Sequence, residues 1–344
     1  MAIAVRGLAF ILACGAALAG ARGAAAASDP FYDGKQLDFV SSSAPGGGYD
    51  AYARLIARHL PRQLPVKAVV VQNMPGAGGI RATQHLFNTA AKTGLVIGMV
   101  TNNVPFTPLY EEKSWGFDAT KFNWLGSPNR ETPIMFVWNT IPVFTIAQAR
   151  ERELILGTTG PTSTAAFYGR LLAAVLGLKI KAVHGYKGQP EALIAMERGE
   201  IEGYASAMWS TMRANYPTWL SDNKLHILFQ YGATPDPEIG QIPFIGDIVT
   251  DSADRALVDS AVAAFGLGRP VLAPPGLPPE RISTLRQALW ASFHDEEFRR
   301  DCLQLRFDCA QPATGDELAA VIAKAYGAPP AVIERLRRIN AMTD

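Results

Sequence analysis

Apolar and polar residues follow two periods along this chain, and the two periods alternate. Short apolar runs, Leu37-Asp38-Phe39-Val40 and residues 66–71, read as buried strands. Each runs into a turn of small residues and then into helical spacing. Residues 50–60 place Ala53, Ile56, Ala57 and Leu60 on one helical face, and residues 79–91 predict a second helix. Residues 95–100 predict a third strand, ending at Thr101. Further on, residues 134–138 read as extended, and residues 154–156 as a strand entering Gly157-Thr158-Thr159-Gly160-Pro161-Thr162-Ser163-Thr164. A helix over 165–176 follows, so the opening unit of strand, small-residue turn and helix recurs.

The remainder keeps the alternation. Residues 183–188 read as strand and turn, 189–198 as a helix, 199–206 as turn and short strand, and 225–230 as a strand. Residues 234–244, rich in proline and polar side chains, read as a surface loop. Residues 267–273 read as extended until Pro274-Pro275-Gly276-Leu277-Pro278-Pro279 stops them. A long amphipathic pattern over 280–305, interrupted at His294-Asp295, precedes terminal helices at 316–326 and 330–340. Such alternation predicts an α/β fold. Two strand–turn–helix units far apart in sequence predict two lobes, each offering a helix N-terminus to one cleft.

The first residues stand apart. Arg6, an apolar core over 8–18 and Ala25-Ala26-Ala27 read as a secretory signal peptide over 1–27, cleaved after Ala27, which predicts a periplasmic chain. Arg22 and the short core do not suit a membrane span. The net charge of +1 over 344 residues gives no electrostatic basis for binding nucleic acid or an anionic membrane. Of three cysteines, Cys302 and Cys309 remain after cleavage. An oxidising compartment permits a bridge between them, and the sequence leaves bonded and free thiols both open. Cysteine and histidine are too sparse and scattered for a zinc site, so neither metal nor cofactor is expected.

The turns carry the chemistry. Ser43-Ala44-Pro45-Gly46-Gly47-Gly48-Tyr49-Asp50 and Asn73-Met74-Pro75-Gly76-Ala77-Gly78-Gly79 each join a strand to a helix. A glycine turn lets a ligand approach backbone N–H groups, and the helix behind adds the positive end of a dipole. This favours a small anion without requiring a charged side chain. Dinucleotide binding fits poorly, because Arg81 stands where the last glycine of the fingerprint belongs and no acid follows at Thr101-Asn102. No Gly-Lys-Ser/Thr supports a phosphate loop, and no Gly-x-Ser-x-Gly supports a hydrolase. Among five histidines, His184 is the one base to check, and no acidic partner lies near it in sequence. Asp50 forms an i,i+4 pair with Arg54 and can support the loop or meet a ligand amine. Ser163 suits a helix cap. Tyr49 can reach the cleft. Tyr186 can donate from the other lobe or pack in its core, and Trp209 is a better cleft candidate than Trp219.

At these motifs a resemblance becomes specific. Pro45-Gly46-Gly47-Gly48-x-Asp50-x-x-Ala53-Arg54 resembles the opening motif of the Bug family, the extracytoplasmic solute receptors of tripartite tricarboxylate transporters. Asn73-x-Pro75-Gly76-Ala77-Gly78-Gly79 is similar to the second motif, and Gly157-x-x-Gly160-x-x-Ser163 to the start of the second lobe. Tyr186-Lys187-Gly188, Gly199-Glu200-Ile201-Glu202-Gly203 and Ala273-Pro274-Pro275-Gly276-Leu277-Pro278 follow in family order, so the match runs from about Leu37 to the C-terminus.

The resemblance implies a type II periplasmic-binding-protein fold, two α/β lobes joined by crossover strands, with a small carboxylate closed between them. It implies lobe 1 over 28–130, lobe 2 over 131–267, and a return to lobe 1 with C-terminal helices over 268–344. Carried over by residue, the ligand set is Gly46, Gly47, Gly48 and Tyr49 from the first lobe, to which Asp50 is added, and Thr159, Gly160, Thr162 and Ser163 from the second. Thr101, Tyr186, Ser206 and Trp209 are added to it. Backbone N–H groups and hydroxyls would hold the carboxylate. The implied partners are that ligand and the membrane components of a tripartite transporter, served by a monomer that is not an enzyme. A receptor presenting its carboxylate to a membrane sensor kinase would share the same pocket. Tyr49 stands where the family commonly has a small Thr or Ser, and Lys187 could pair with a second carboxylate or face solvent.

Overall fold

The computed structural model describes residues 29–342 except 47, 112, 113, 162 and 187; the signal-peptide expectation therefore lies outside the described residues. Among the described residues, eleven strands form two sheets: β1 Gln36–Ser41, β2 Ala68–Asn73, β3 Val96–Met99, β4 Asn123–Ser127, β5 Pro133–Trp138, β6 Glu153–Gly157, β7 Lys179–Val183, β8 Gly203–Met208, β9 Leu225–Gln230, β10 Val271–Ala273 and β11 Ala313–Thr314. The first sheet has the order β11-β4-β10-β3-β1-β2, and the second the order β7-β6-β8-β5-β9.

Period two explains how each sheet buries both faces. In β1, Leu37 and Phe39 enter one apolar cluster with Ile56 and Leu285, while Val40 enters another with Leu86 and Trp124. Phe39 pairs in parallel register with Val71 of β2 and with Ile97 of β3. In the second sheet every residue of β5 is buried. Met135 and Val137 join one cluster, and Ile134, Phe136 and Trp138 the opposite one.

The chain leaves the first sheet after β4 and enters the second at β5. It returns along the helix Ser252–Leu267 to β10, which pairs antiparallel with β3 and β4. The extended segment expected from residue 267 is shorter, because Leu267 still ends this helix. Leu257, Val258, Ala261 and Phe265 pack in the second lobe's core, whereas Ala263, Ala264 and Leu267 pack in the first. The last helix, Pro330–Ala341, likewise sends Val332, Leu336 and Ile339 into the second lobe's cluster.

The two crossover segments are tied together. Glu131 N donates to Phe265 O at 3.0 Å, and Arg269 N donates to Ser127 Oγ at 3.0 Å and Asn129 Oδ1 at 3.1 Å. Between them Gly268 has φ +56°, and a Cβ there would lie 2.0 Å from the Asn129 carbonyl oxygen. Only glycine suits both that torsion and that approach.

The long C-terminal pattern divides where the sequence interrupts it. Pro279–His294 ends, and Asp295 caps Glu296–Gln304 by accepting from Glu297 N and Phe298 N. Cys302 and Cys309 are bridged, with Cα atoms 6.4 Å apart, which resolves the alternative left open above.

Candidate ligand cleft

The first glycine-rich turn is organised by Asp50. Its carboxylate accepts from Gly46 N at 2.8 Å, Asn73 Nδ2 at 2.8 Å, and Arg54 through Nε at 3.0 Å and Nη2 at 2.9 Å. Its own N–H donates to Ser43 Oγ at 2.8 Å. Burial alone would raise the carboxyl pKa, but the bonds from Arg54, Asn73 and Gly46 outweigh it and hold the group below the usual value. Asp50 is only 1 % exposed and its acceptor capacity is used, so it braces the loop and leaves nothing for a ligand. The Gly46 N–H is spent on the same carboxylate and is not a free donor. Gly48 is exposed and opens the helix Gly48–His59; Gly47 lies outside the described residues.

The second glycine-rich turn does packing work. Gly79 has φ +106°, and a Cβ there would approach Thr101 Oγ1 to 2.7 Å. Thr101 Oγ1 in turn bonds Ser42 Oγ at 3.2 Å. The turn after β2 thus seats the ends of β1 and β3 side by side.

Tyr49 projects from the first turn of its helix. Its hydroxyl accepts from Asn102 N at 3.0 Å and from Arg269 Nη1 at 3.4 Å, and the Arg269 guanidinium lies 4.7 Å from the ring centroid. Burial raises the phenol pKa, with Arg269 opposing. In the second lobe, Ser163 caps the helix Thr164–Leu176, its Oγ accepting from Ala166 N at 3.3 Å while its N–H goes to Gly160 O at 3.1 Å. The Ser163 hydroxyl hydrogen remains to be donated. Thr159 is exposed, Gly160 half-buried, and Thr162 lies outside the described residues.

A cavity of about 390 Å³ lies where these elements meet. Thr101 and Asn102 line it from the first lobe, Ser163, Phe167 and Met208 from the second, and Arg269 from the crossover. Of the residues singled out from sequence, Thr101 and Ser163 line it directly, and Tyr49 bonds two of its lining residues.

Gly46, Gly48, Asp50, Thr159 and Gly160 do not line it, and neither do Tyr186, Ser206 and Trp209. Tyr186 is half-buried against the second lobe's core, where a Cβ on Gly157 would come within 3.2 Å of its ring. Ser206 is buried within β8 between core residues Ala205 and Ala207. The Trp209 indole turns instead to Glu238, donating to its Oε2 at 3.0 Å. His184 bonds Thr158 Oγ1 at 2.5 Å, also away from the cavity.

Arg269 and Glu131 are the charged lining residues that the sequence did not reveal. Arg269 Nη2 lies 3.2 Å from Glu131 Oε1. Glu131 also accepts from Asn129 Nδ2 at 3.2 Å and Ser210 Oγ at 3.1 Å. The available signal was a lone charge, Arg269, between Gly268 and Pro270 in an otherwise apolar return segment.

Two α/β lobes joined by crossovers, with a cavity lined from both, define a bilobal protein of the periplasmic-binding type. Solved structures agree on the fold. The chain is similar to a TctC solute-binding protein from Polaromonas (18% identity, TM-score 0.71, covering 90% of this chain and 98% of that one). It is also similar to an R. palustris protein solved with adipate (22%, 0.57, 90% and 98%). A third likeness is to MatC from Rhodopseudomonas palustris with bound malate (18%, 0.55, 89% and 99%). The family model TctC, tripartite tricarboxylate transporter family receptor, matches residues 52–336, and the chain belongs to that family. No curated protein matches it in sequence.

Proposed function

We propose that this chain is an exported receptor that captures a small carboxylate between its lobes and delivers it to the membrane components of a tripartite transporter. The observation that carries the reading is the shared cavity, with Thr101 and Asn102 on one side and Ser163 and Thr164 on the other. A ligand touching both sides favours the closed state by its differential contacts. Membership of a receptor family supports the role, and the adipate and malate held by two fold neighbours support the ligand class. The Ser163 hydroxyl and the start of a 13-residue helix supply a donor and a favourable dipole for one carboxylate.

The test is a thermal-shift and calorimetry screen of the chain without residues 1–27, using carboxylates, their amides, phosphates and nucleotides. A binder at a hundredfold excess over Kd stabilises the native state by about 2.7 kcal/mol. A shift with carboxylates and not their amides supports the reading, and Ser163→Ala should weaken it. Stabilisation by phosphates or nucleotides alone would sink it. Delivery is tested by retention of the loaded receptor on vesicles carrying the transporter's membrane subunits.

A further inference from the structure

We propose that Arg269, which lines the cavity, forms with the adjoining Tyr49 hydroxyl a second anion subsite at the cavity's crossover end, which reads whether the ligand carries an acidic group there. The inference rests on the carboxylate reading above and adds a charged recognition element to it. Among the described residues lining the cavity, Arg269 is the one cation.

Its donors are not all used. Nη2 pairs with Glu131 and Nη1 donates to the Tyr49 hydroxyl, while Nε is buried with no acceptor among the described residues. Each Nη carries a further hydrogen. The Tyr49 oxygen already accepts two bonds, from Asn102 N and from Arg269, so both lone pairs are occupied. Its own hydrogen must then go to an acceptor, and none stands there among the described residues. Arg269 and Tyr49 together therefore present donors without acceptors. A carboxylate, which only accepts, satisfies that need.

Glu131 does not compete for the role. It lines the cavity, but its side chain is 5% exposed and receives Arg269, Asn129 and Ser210, so it acts as a positioning residue that fixes the guanidinium. The rings of Tyr49 and Tyr52, with centroids 4.7 and 5.4 Å from the guanidinium carbon, shield the charge from water and strengthen any pairing there. Phe167, Met208, Ala264 and Phe265 line the cavity as apolar wall. The ligand that fits has an apolar body, one carboxylate toward Ser163 and a second toward Arg269.

The experiment is calorimetry on the chain without residues 1–27 with matched pairs, adipate against hexanoate and terephthalate against benzoate. A charge-assisted bidentate contact predicts that the diacid of at least one pair binds about ten- to a hundredfold tighter. Arg269→Met should collapse that ratio to within about threefold. If removing the arginine alone unfolds the protein by stranding Glu131, the double variant Glu131→Gln/Arg269→Met removes the pair together, and Tyr49→Phe removes only the hydroxyl. Tyr49→Phe should lower the ratio about fivefold. Wild-type protein that binds the monoacids as tightly as the diacids, or a ratio that survives Arg269→Met or the double variant, overturns this subsite and leaves the carboxylate reading standing. Absence of binding by every carboxylate in the broader screen overturns both.

Discussion

The side-chain amide of Asn73, at the end of β2, donates to Asp50 Oδ1 at 2.8 Å. The same nitrogen reaches Ser43 O at 2.9 Å. Two glycine-rich motifs that look independent in sequence are therefore one structure, with Asp50 as its acceptor and Asn73 as its clasp. Replacing Asp50 by Ala leaves the Gly46 and Asn73 donors unpaired and should cost about 1–3 kcal/mol. Asn73→Ala should cost less. The double variant should show a coupling of at least about 0.5 kcal/mol in urea unfolding. Strict additivity would mean the clasp contributes nothing.

The stability that Asp50 contributes should depend on pH with a definite sign. Its folded pKa is depressed below the unfolded value of about 3.9. The contribution is then complete above that value and is lost as pH falls through the folded pKa. Urea midpoints of wild type and Asp50→Asn should differ most at neutral pH and converge in acid. A gap that stays constant down to pH 3 would rule the mechanism out.

Gly268→Ala should be among the most damaging conservative changes in the chain. Its Cβ would meet a backbone oxygen, which has no rotamer to adopt, at a torsion that L-residues avoid. A loss of about 2–4 kcal/mol is expected, read as a lowered melting temperature. Gly34→Ala, with φ +66° but nothing near its Cβ position, should cost about 1 kcal/mol and serves as the control for torsion alone.

The Cys302–Cys309 bridge spans a sequence separation of seven. Closing so short a loop stabilises by roughly 2–3 kcal/mol in the chain-entropy view. The double variant Cys302→Ser/Cys309→Ser should melt lower, and dithiothreitol should bring wild type to the same temperature. A reductant-insensitive melting curve would show that the bridge adds no stability.

What the sequence disclosed follows from pattern strength. β1, its turn and the helix Gly48–His59 were legible because one face is apolar and the glycines punctuate it. The helix Ser252–Leu267 was not, because its second half, from Ala261 on, is apolar all round and so shows no stripe; packing between two cores requires that. β4 and β11 were missed for being short and ending in polar residues. At the site, Thr101 and Ser163 could be placed because a strand end and a helix start fix where they sit. Ser206 and Trp209 lie outside the cavity, because a motif locates a backbone and does not aim a side chain. Arg269 escaped because a single charge carries no period, and its partners Tyr49 and Glu131 are far away in sequence.

The helix Ser252–Leu267 gives each lobe part of its interior, so the lobes hold material in common. Packed cores do not slide continuously past one another. A movement that separates the cleft walls would have to pass through the strips 128–132 and 268–270, which the Arg269 N–H ties together, and through residues 327–329, where the chain crosses to its last helix. One residue thus ties the crossing strips through its backbone and lines the cavity through its guanidinium, so a ligand paired with that side chain would act at the joint itself.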